Sequence, residues 1–221
     1  MEPTWLPRSR GFKPLFTVHA APPTSLFSSI RADDALQLGA PMFDKHELRS
    51  AARARRKALA GTDPTAAQRA ADHIDALPQG AVVALYRAMG SELDTGALAV
   101  ALEAAGRRLC LPVVLERDAP MVFRAWSPGE PLELDAAGCP APLPLAELVE
   151  PDLIITPLLA FDASGGRLGQ GGGFYDRTFA ARPDVIRVGF AYAGQAVEAL
   201  SLEAHDMRLH GVLTEAGYQA F

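Results

Sequence analysis

From residue 44 to the end of the chain, short apolar runs alternate with stretches of helical pattern. Asp44, with Glu47 three residues later, makes a capping-box pattern that opens a helix over KHELRSAARARRKALA (45–60), and Gly61 stops it. Asp63-Pro64 starts a second helix that runs to about Leu77. AVVALY (81–86) reads as a buried strand. Asp94-Thr95 caps a third helix to Ala105, where Gly106 ends it. RLCLPVV (108–114) and the alternating MVFRAW (121–126) read as strands, and a Pro-rich loop, CPAPLPL, leads into DLIITPLLAF. A further helix covers Tyr175–Ala181, and VIRVGFAY (185–192) and HGVLTEAG (210–217) close the chain as strands. This alternation predicts an α/β fold: a layered, mostly parallel sheet flanked by helices, Rossmann-like with three layers, in a single domain over residues 44–221.

Residues 1–43 break the pattern, with no sustained helical or strand period, and are predicted to be a flexible N-terminal extension. Arg8, Arg10, Lys13 and Arg31 with few acids also fit a transit peptide, and Met42 fits a later start. At 221 residues and 49% hydrophobic, the remainder suits one ordinary core. A formal net charge of −5 argues against a nucleic-acid partner. No apolar run reaches the roughly 18 residues of a membrane helix, so no membrane partner is expected. Two cysteines, Cys110 and Cys139, make no disulfide framework, and a reducing, cytoplasmic setting with a monomeric chain is the expectation.

The costliest stretch is GRLGQGGGFYDR (166–177). Six of the nine residues from Gly165 to Gly173 are glycine, and each forgoes roughly 0.5–1 kcal/mol of order relative to alanine in regular structure. The run follows a buried strand and precedes a helix. At that place in an open α/β sheet, helix N–H groups and about half a positive charge face the ligand crevice. Glycines let successive N–H groups converge on a phosphate chain with no Cβ in the way; a purely structural glycine turn is the other reading. Neither standard loop fits, since Gly172 stands where a Walker loop has lysine and Phe174 where the dinucleotide fingerprint has its third glycine.

Several charged residues extend the phosphate reading. Asp176, one turn into the helix, is placed to offer a nucleotide's Mg²⁺ a hard oxygen, or is a first-turn acid favoured by the dipole. Arg167 can set a fixed positive charge on transferring phosphoryl oxygens, or is a solvated loop charge. Lys45, Arg49, Arg53 and Arg56 share one helix face, as the wet side or as part of an anion site. Glu92 can bind a polar ligand group or merely neighbour the Asp94 cap. His205-Asp206 fits a catalytic pair, a metal carboxylate, or an incidental dipeptide.

Taken in order, these residues resemble the 5-formyltetrahydrofolate cyclo-ligase family, also called methenyltetrahydrofolate synthetase. The likeness runs from about Lys45 to Thr214, through KHELR (45–49), GSELDT (91–96), LCLPVV (109–114), MVFRAW (121–126), DLIITPLLAFDASGGRLGQGGGFYDR (152–177) and VGFAYAGQ…EAHDMRLHGVLTE (188–215). The resemblance implies ATP contacts at Lys45, His46, Glu47, Leu48 and Arg49. It implies further ATP contacts at Arg167, Leu168, Gly169, Gln170, Gly171, Gly172, Gly173, Phe174 and Tyr175. Reduced folate is implied at Glu92, Gln170, Gly171, Gly172, Gly173 and Phe174, and Mg²⁺ at Asp176 and Asp206, with Arg167 and Asp176 catalytic.

The implied reaction converts ATP and 5-formyltetrahydrofolate to 5,10-methenyltetrahydrofolate, ADP and phosphate. The formyl oxygen is a poor leaving group until it takes the γ-phosphoryl group; N10 then attacks, the ring closes and phosphate leaves. Met121, Phe123 and Trp126 are candidate walls for the pterin, or strand core. One departure stands out. Ala137-Gly138-Cys139-Pro140-Ala141-Pro142 replaces the aromatic-Gly-Ile-x-Glu-Pro stretch of many members, so the aromatic and the acid are missing. Two other readings compete: an isomerase or CoA-transferase-like enzyme needing no ATP, and a nucleotide-binding accessory protein without folate turnover.

Overall fold

The computed structural model describes residues 45–203 and 206–221; the extension over 1–43, the Asp44 cap and His205 lie outside them. Helices α1 (Lys45–Thr62) and α2 (Ala66–Ala71) lead into strand β1 (Val82–Ala84). Helix α3 (Gly96–Ala104) carries the chain to β2 (Arg108–Val113) and then β3 (Val122–Ala125). A small ribbon of β4 (Leu132–Leu134) and β5 (Pro140–Pro142) precedes β6 (Leu153–Thr156). The hairpin β7 (Ala160–Phe161) and β8 (Arg167–Leu168) then leads into α4 (Phe174–Ala181). Strands β9 (Ile186–Phe190), β10 (Gly211–Thr214) and β11 (Gly217–Ala220) complete the chain.

Seven strands form the main sheet in the order β11-β10-β9-β6-β1-β2-β3. The inner strands β10, β9, β6, β1 and β2 are parallel, and β11 and β3 close the edges antiparallel. Alternate side chains of each strand enter opposite layers. Val83, Leu85, Leu109, Leu111, Leu153, Ile155, Val188 and Phe190 pack with Ala70 of α2 and Leu98 and Leu102 of α3. Ala84, Cys110, Phe123 and Ile154 face the other way, onto Phe179 of α4. Helix, sheet, helix is the layered α/β arrangement that the sequence predicts. Both cysteines are free, and burial pushes the Cys110 thiol up to about 12. Among the described residues no helix is long and apolar enough to cross a membrane.

Four local expectations are corrected. The second helix stops at Ala71, and a separate 3-10 turn covers Ile74–Ala76, because His73 leaves helical geometry and Pro78 holds Leu77 extended. CPAPLPL is not all loop. Pro140 and Pro142 pair with Leu134 and Leu132 on either side of Ala141, which faces Glu133, so a two-stranded ribbon accommodates both prolines at alternate positions. Thr95 spends its hydroxyl on the Tyr86 carbonyl (2.6 Å), and Asp94 caps α3 by accepting from Gly96 N (2.7 Å). The last apolar run is a hairpin, β10 turning through Glu215-Ala216 into β11, which opens on Gly217 at φ +127°.

The topology places a crevice. From β1 the chain moves outward to β2, whereas from β6 it moves the opposite way to β9. The strand order therefore reverses between β1 and β6, and the loops at their carboxyl ends diverge, which is where open α/β sheets bind ligands.

Candidate active site

Those two carboxyl ends carry Tyr86–Glu92 after β1 and Pro157–Leu159 after β6. The glycine run beside them is two features, not one. Gly165 and Gly166 belong to the tight turn of the β7–β8 hairpin, where Asp162 Oδ1 accepts from Ser164 N, Ser164 Oγ and Gly166 N and Oδ2 accepts from Leu200 N. Gly165 has φ +78°, and a Cβ there would lie 2.6 Å from the Leu209 carbonyl oxygen. That half is structural. Gly169–Gly173 is the open half, exposed or partly so, and it delivers the chain to α4.

The amino end of α4 is built to stay uncapped. Gly173 is its N-cap at φ +69°, with no side-chain cap hydrogen bond, so the first-turn N–H groups have neither an intrahelical nor a capping acceptor. Gly171, at φ +102°, passes so close to α1 that a Cβ would meet Arg49 Cζ at 3.4 Å. Arg177 fastens the loop from behind, donating to the Gly172 carbonyl (3.0 Å) and the Arg117 carbonyl (2.6 Å) while its guanidinium covers Phe174 at 5.2 Å.

Arg167 is no solvated loop charge. It lies in β8 with its side chain 5% exposed, donating to Asp176 Oδ1 at 2.6 Å and sitting 5.8 and 5.7 Å from the Tyr175 and Phe179 ring centres. Its Nε is buried without a hydrogen-bond partner. A buried donor left open costs about 1–3 kcal/mol, so the site has reason to accept an incoming oxygen.

The basic face of α1 is in part a seam: Arg56 is buried and Lys45 and Arg49 are half-buried, whereas Arg53 stays exposed. Lys45 Nζ meets Glu203 at 2.7 Å and Asp206 at 3.5 Å, and the Glu203 bond foremost holds its pKa above the usual lysine value. Arg49 Nε donates to the Gly169 carbonyl (3.3 Å), and Arg53 donates to Gln170 Oε1 (3.0 Å) and carbonyl (3.3 Å). Arg56, buried, turns to Ser91, Glu92 and the Leu158 carbonyl. Of the other predicted residues on this helix, His46 and Glu47 are exposed. Leu48 packs with Ala52, Leu159, Ala160 and Leu168, so Leu48 and Leu168 anchor backbone rather than present side chains.

Glu92 sits at the rim of β1, its side chain 9% exposed, with Oε2 accepting from Met89 N at 3.0 Å. Its charge reaches Tyr175: burial first, then Glu92, raises that phenol above the usual tyrosine value. Burial, then Asp135 and Glu92, raises the Cys139 thiol, whose Sγ lies 3.8 Å from Met89 Sδ. Glu92, Tyr175, Met89 and Cys139 are thus one neighbourhood, which joins the 89–92 loop, the amino end of α4 and the altered 137–142 stretch. The candidate walls Met121, Phe123 and Trp126 are buried elsewhere: Phe123 in the α4-side core, Trp126 in the opposite core, and Met121 bonded through its backbone to Thr178 and Arg182. Those three are core, because β3, which holds Phe123 and is flanked by Met121 and Trp126, is an edge removed from the β1–β6 crevice.

Comparison with known proteins agrees with this arrangement. Residues 41–215 match the model of the 5-formyltetrahydrofolate cyclo-ligase family. The Escherichia coli K12 5-formyltetrahydrofolate cyclo-ligase is 38% identical over 146 residues, covering 60% of this chain and 76% of that protein. Its Haemophilus influenzae counterpart is 38% identical over 141 residues, covering 59% and 74%. The structure of Aquifex aeolicus 5,10-methenyltetrahydrofolate synthetase superposes with a TM-score of 0.66 at 29% identity, over 80% of this chain and 92% of that one. The synthetase from Mycoplasma pneumoniae shares the fold, with a TM-score of 0.59 at 20% identity over 78% and 99%. On its strand order, its loop chemistry and these matches, the chain belongs to the 5-formyltetrahydrofolate cyclo-ligase family.

Proposed function

We propose that this chain closes 5-formyltetrahydrofolate to 5,10-methenyltetrahydrofolate at the expense of ATP, with the nucleotide phosphates at Gly169–Tyr175 and the reduced folate between that loop and Glu92. The observation that carries the assignment is the uncapped amino end of α4, ringed by Arg49 and Arg167 at the strand-order reversal. The N–H groups and the helix dipole attract an anion, and the buried Arg167 guanidinium has an open donor for it. Lys45 and Arg49 of α1 add positive charge on the same side as Gly169 and Asp206.

Phosphoryl transfer asks for alignment and charge neutralisation rather than a protein nucleophile. Here Arg167 would hold equatorial phosphoryl oxygens, and the loop amides would fix the phosphate chain. Glu92 would anchor the folate through donors of its ring, having acceptor positions left beyond Met89 N and Arg56. Tyr175, its phenol protonated as any tyrosine is near neutral pH, would wall the formyl group and exclude water.

Asp176 and Asp206 would hold Mg²⁺. Among the described residues no group of three His, Cys, Asp or Glu side chains could form a cage. That donor set fits magnesium in nucleotide sites, which is usually held by one or two carboxylates with phosphate oxygens and water. Bound there, the ion would offset phosphate charge, and the Arg167 bond to Oδ1 would fix the direction of the Asp176 carboxylate.

Mixing the purified chain with 5-formyltetrahydrofolate, Mg²⁺ and ATP tests the assignment. Methenyl absorbance growing only when ATP is present, with equal ADP, supports it. ATP binding without product would favour an accessory protein instead, and the lost aromatic and acid at 137–142 are the feature that makes this the second reading.

A further inference from the structure

Three members of the α1 stripe, Lys45, Arg49 and Arg53, reach Glu203, Asp206 and the 169–170 segment. The fourth does something else. Arg56 is 5% exposed, and its guanidinium spreads over three acceptors from two different loops: Ser91 Oγ (3.2 Å), Glu92 Oε1 (3.4 Å) and the Leu158 carbonyl (3.2 Å). The 91–92 contacts follow β1 and the 158 contact follows β6, so one side chain ties together both lips of the crevice.

A buried charge pair is poor evidence of a role in stability, since apolar residues of similar volume commonly do as well or better. An arginine here, at a carboxylate whose charge reaches both Tyr175 and Cys139, has a different use. Its planar fork fixes direction. Nη1 holds Oε1 from the α1 side while Met89 N holds Oε2, so the carboxylate is gripped at both oxygens and its plane is set. A lysine ammonium would keep the charge but could not span the same three acceptors in one plane.

We infer that Arg56 is a positioning residue that orients the Glu92 carboxylate and thereby sets the affinity for the reduced folate, with no part in nucleotide binding. The inference rests on the reading of Glu92 as a folate contact. It acts through Glu92, and its effect belongs to the KM for 5-formyltetrahydrofolate rather than the KM for ATP.

The test uses the full chain with Arg56→Lys, Arg56→Met, Glu92→Gln and the Arg56→Met/Glu92→Gln double variant, measuring both KM values and the Tm of each. Arg56→Lys keeps a cation in the buried site and carries the test should Arg56→Met fail to fold. The expected result is a rise of about tenfold in the folate KM for Arg56→Lys, with the ATP KM within about twofold of wild type. The double variant should be no worse than the worse single one, because both changes remove the same grip. An unchanged folate KM in Arg56→Lys, while Glu92→Gln raises it, overturns the inference and leaves the folate reading standing. Both KM values rising together, with additive effects and a lowered Tm, also overturn it, in favour of a structural role. If Glu92→Gln itself leaves the folate KM unaltered, the folate reading of Glu92 falls and the inference falls with it.

Discussion

Arg167 and Asp176 show how single residues here combine structure with chemistry. Their bond of 2.6 Å joins a buried strand residue to the first turn of α4, and it holds both groups beside an uncapped helix end. Asp176→Asn keeps the size of the side chain and removes its charge. The amide keeps an oxygen that can accept from Arg167, so the fold should survive, but the buried guanidinium loses its counter-charge and the Tm should fall by a few degrees. Turnover should drop by about a hundredfold or more, as charge-stabilising groups in such sites typically cost on removal. Steady-state kcat beside a thermal melt checks this, and a variant with near-normal turnover would remove Asp176 from the metal assignment. Cys139 gives a second, milder expectation. It is half-buried beside Met89, whereas Cys110 is buried in the core. Thiol alkylation of the native chain should therefore modify Cys139 alone, and 5-formyltetrahydrofolate should slow it more than ATP does. Peptide mapping after brief treatment reads the outcome; protection by ATP only would move Cys139 away from the folate side.

Among the elements, the segment from Gly169 to Gly173 is shaped by backbone geometry that other residues resist. At Gly171, φ +102° is a region open to glycine alone at low cost, and the added carbon would press on Arg49 at 3.4 Å. Gly171→Ala should strain the loop by roughly 1–2 kcal/mol. A Tm lowered by no more than about 8 °C and a several-fold higher ATP KM are expected, since the loop is exposed and the core does not depend on it. A large loss of Tm with an unchanged ATP KM would make this loop a folding device instead of a ligand one. Much of this element could be read from the sequence: the open loop and α4 announce themselves by glycine spacing and by the acid at Asp176. What the sequence could not give is the split at Arg167. Residues 165 and 166 turn a hairpin whose strands are two residues each, too short for any alternation to register. The α1 stripe was equally opaque. Helical spacing puts Lys45, Arg49, Arg53 and Arg56 on one face, but whether that face meets water or a loop more than 100 residues away is a tertiary fact. Local periodicity likewise marked Phe123 and Trp126 as strand residues without saying that their strand lies at the far edge of the sheet.

At the scale of the whole molecule, the parallel strands and their alternating faces follow from the apolar runs, and the reversal between β1 and β6 converts that order into a crevice. The opposite end of the sheet carries a titratable contact. His210 Nδ1 accepts from Arg187 N at 3.0 Å, and burial, helped by the Arg187 charge, holds the His210 pKa below 6.5. Protonation is then easier in the unfolded chain, so this contact contributes its full stability above about pH 6.5 and loses it as the pH falls through the lower folded value. Urea midpoints between pH 8 and 5 should decline for wild type more than for His210→Asn, and parallel profiles would contradict the contribution. This region is distant from Glu92, so kcat at saturating substrates should not share the His210 dependence.

The proposed reaction depends most on where the phosphates of ATP lie. A crystal structure with a non-hydrolysable ATP analogue and Mg²⁺ tests that directly. It should show the β- and γ-phosphates on the backbone amides from Gly171 to Tyr175, the ion against Asp176, and Arg167 Nε within hydrogen-bond distance of a phosphate oxygen. Density for the triphosphate at any other place, with those amides covered by the chain's own side chains, would contradict it.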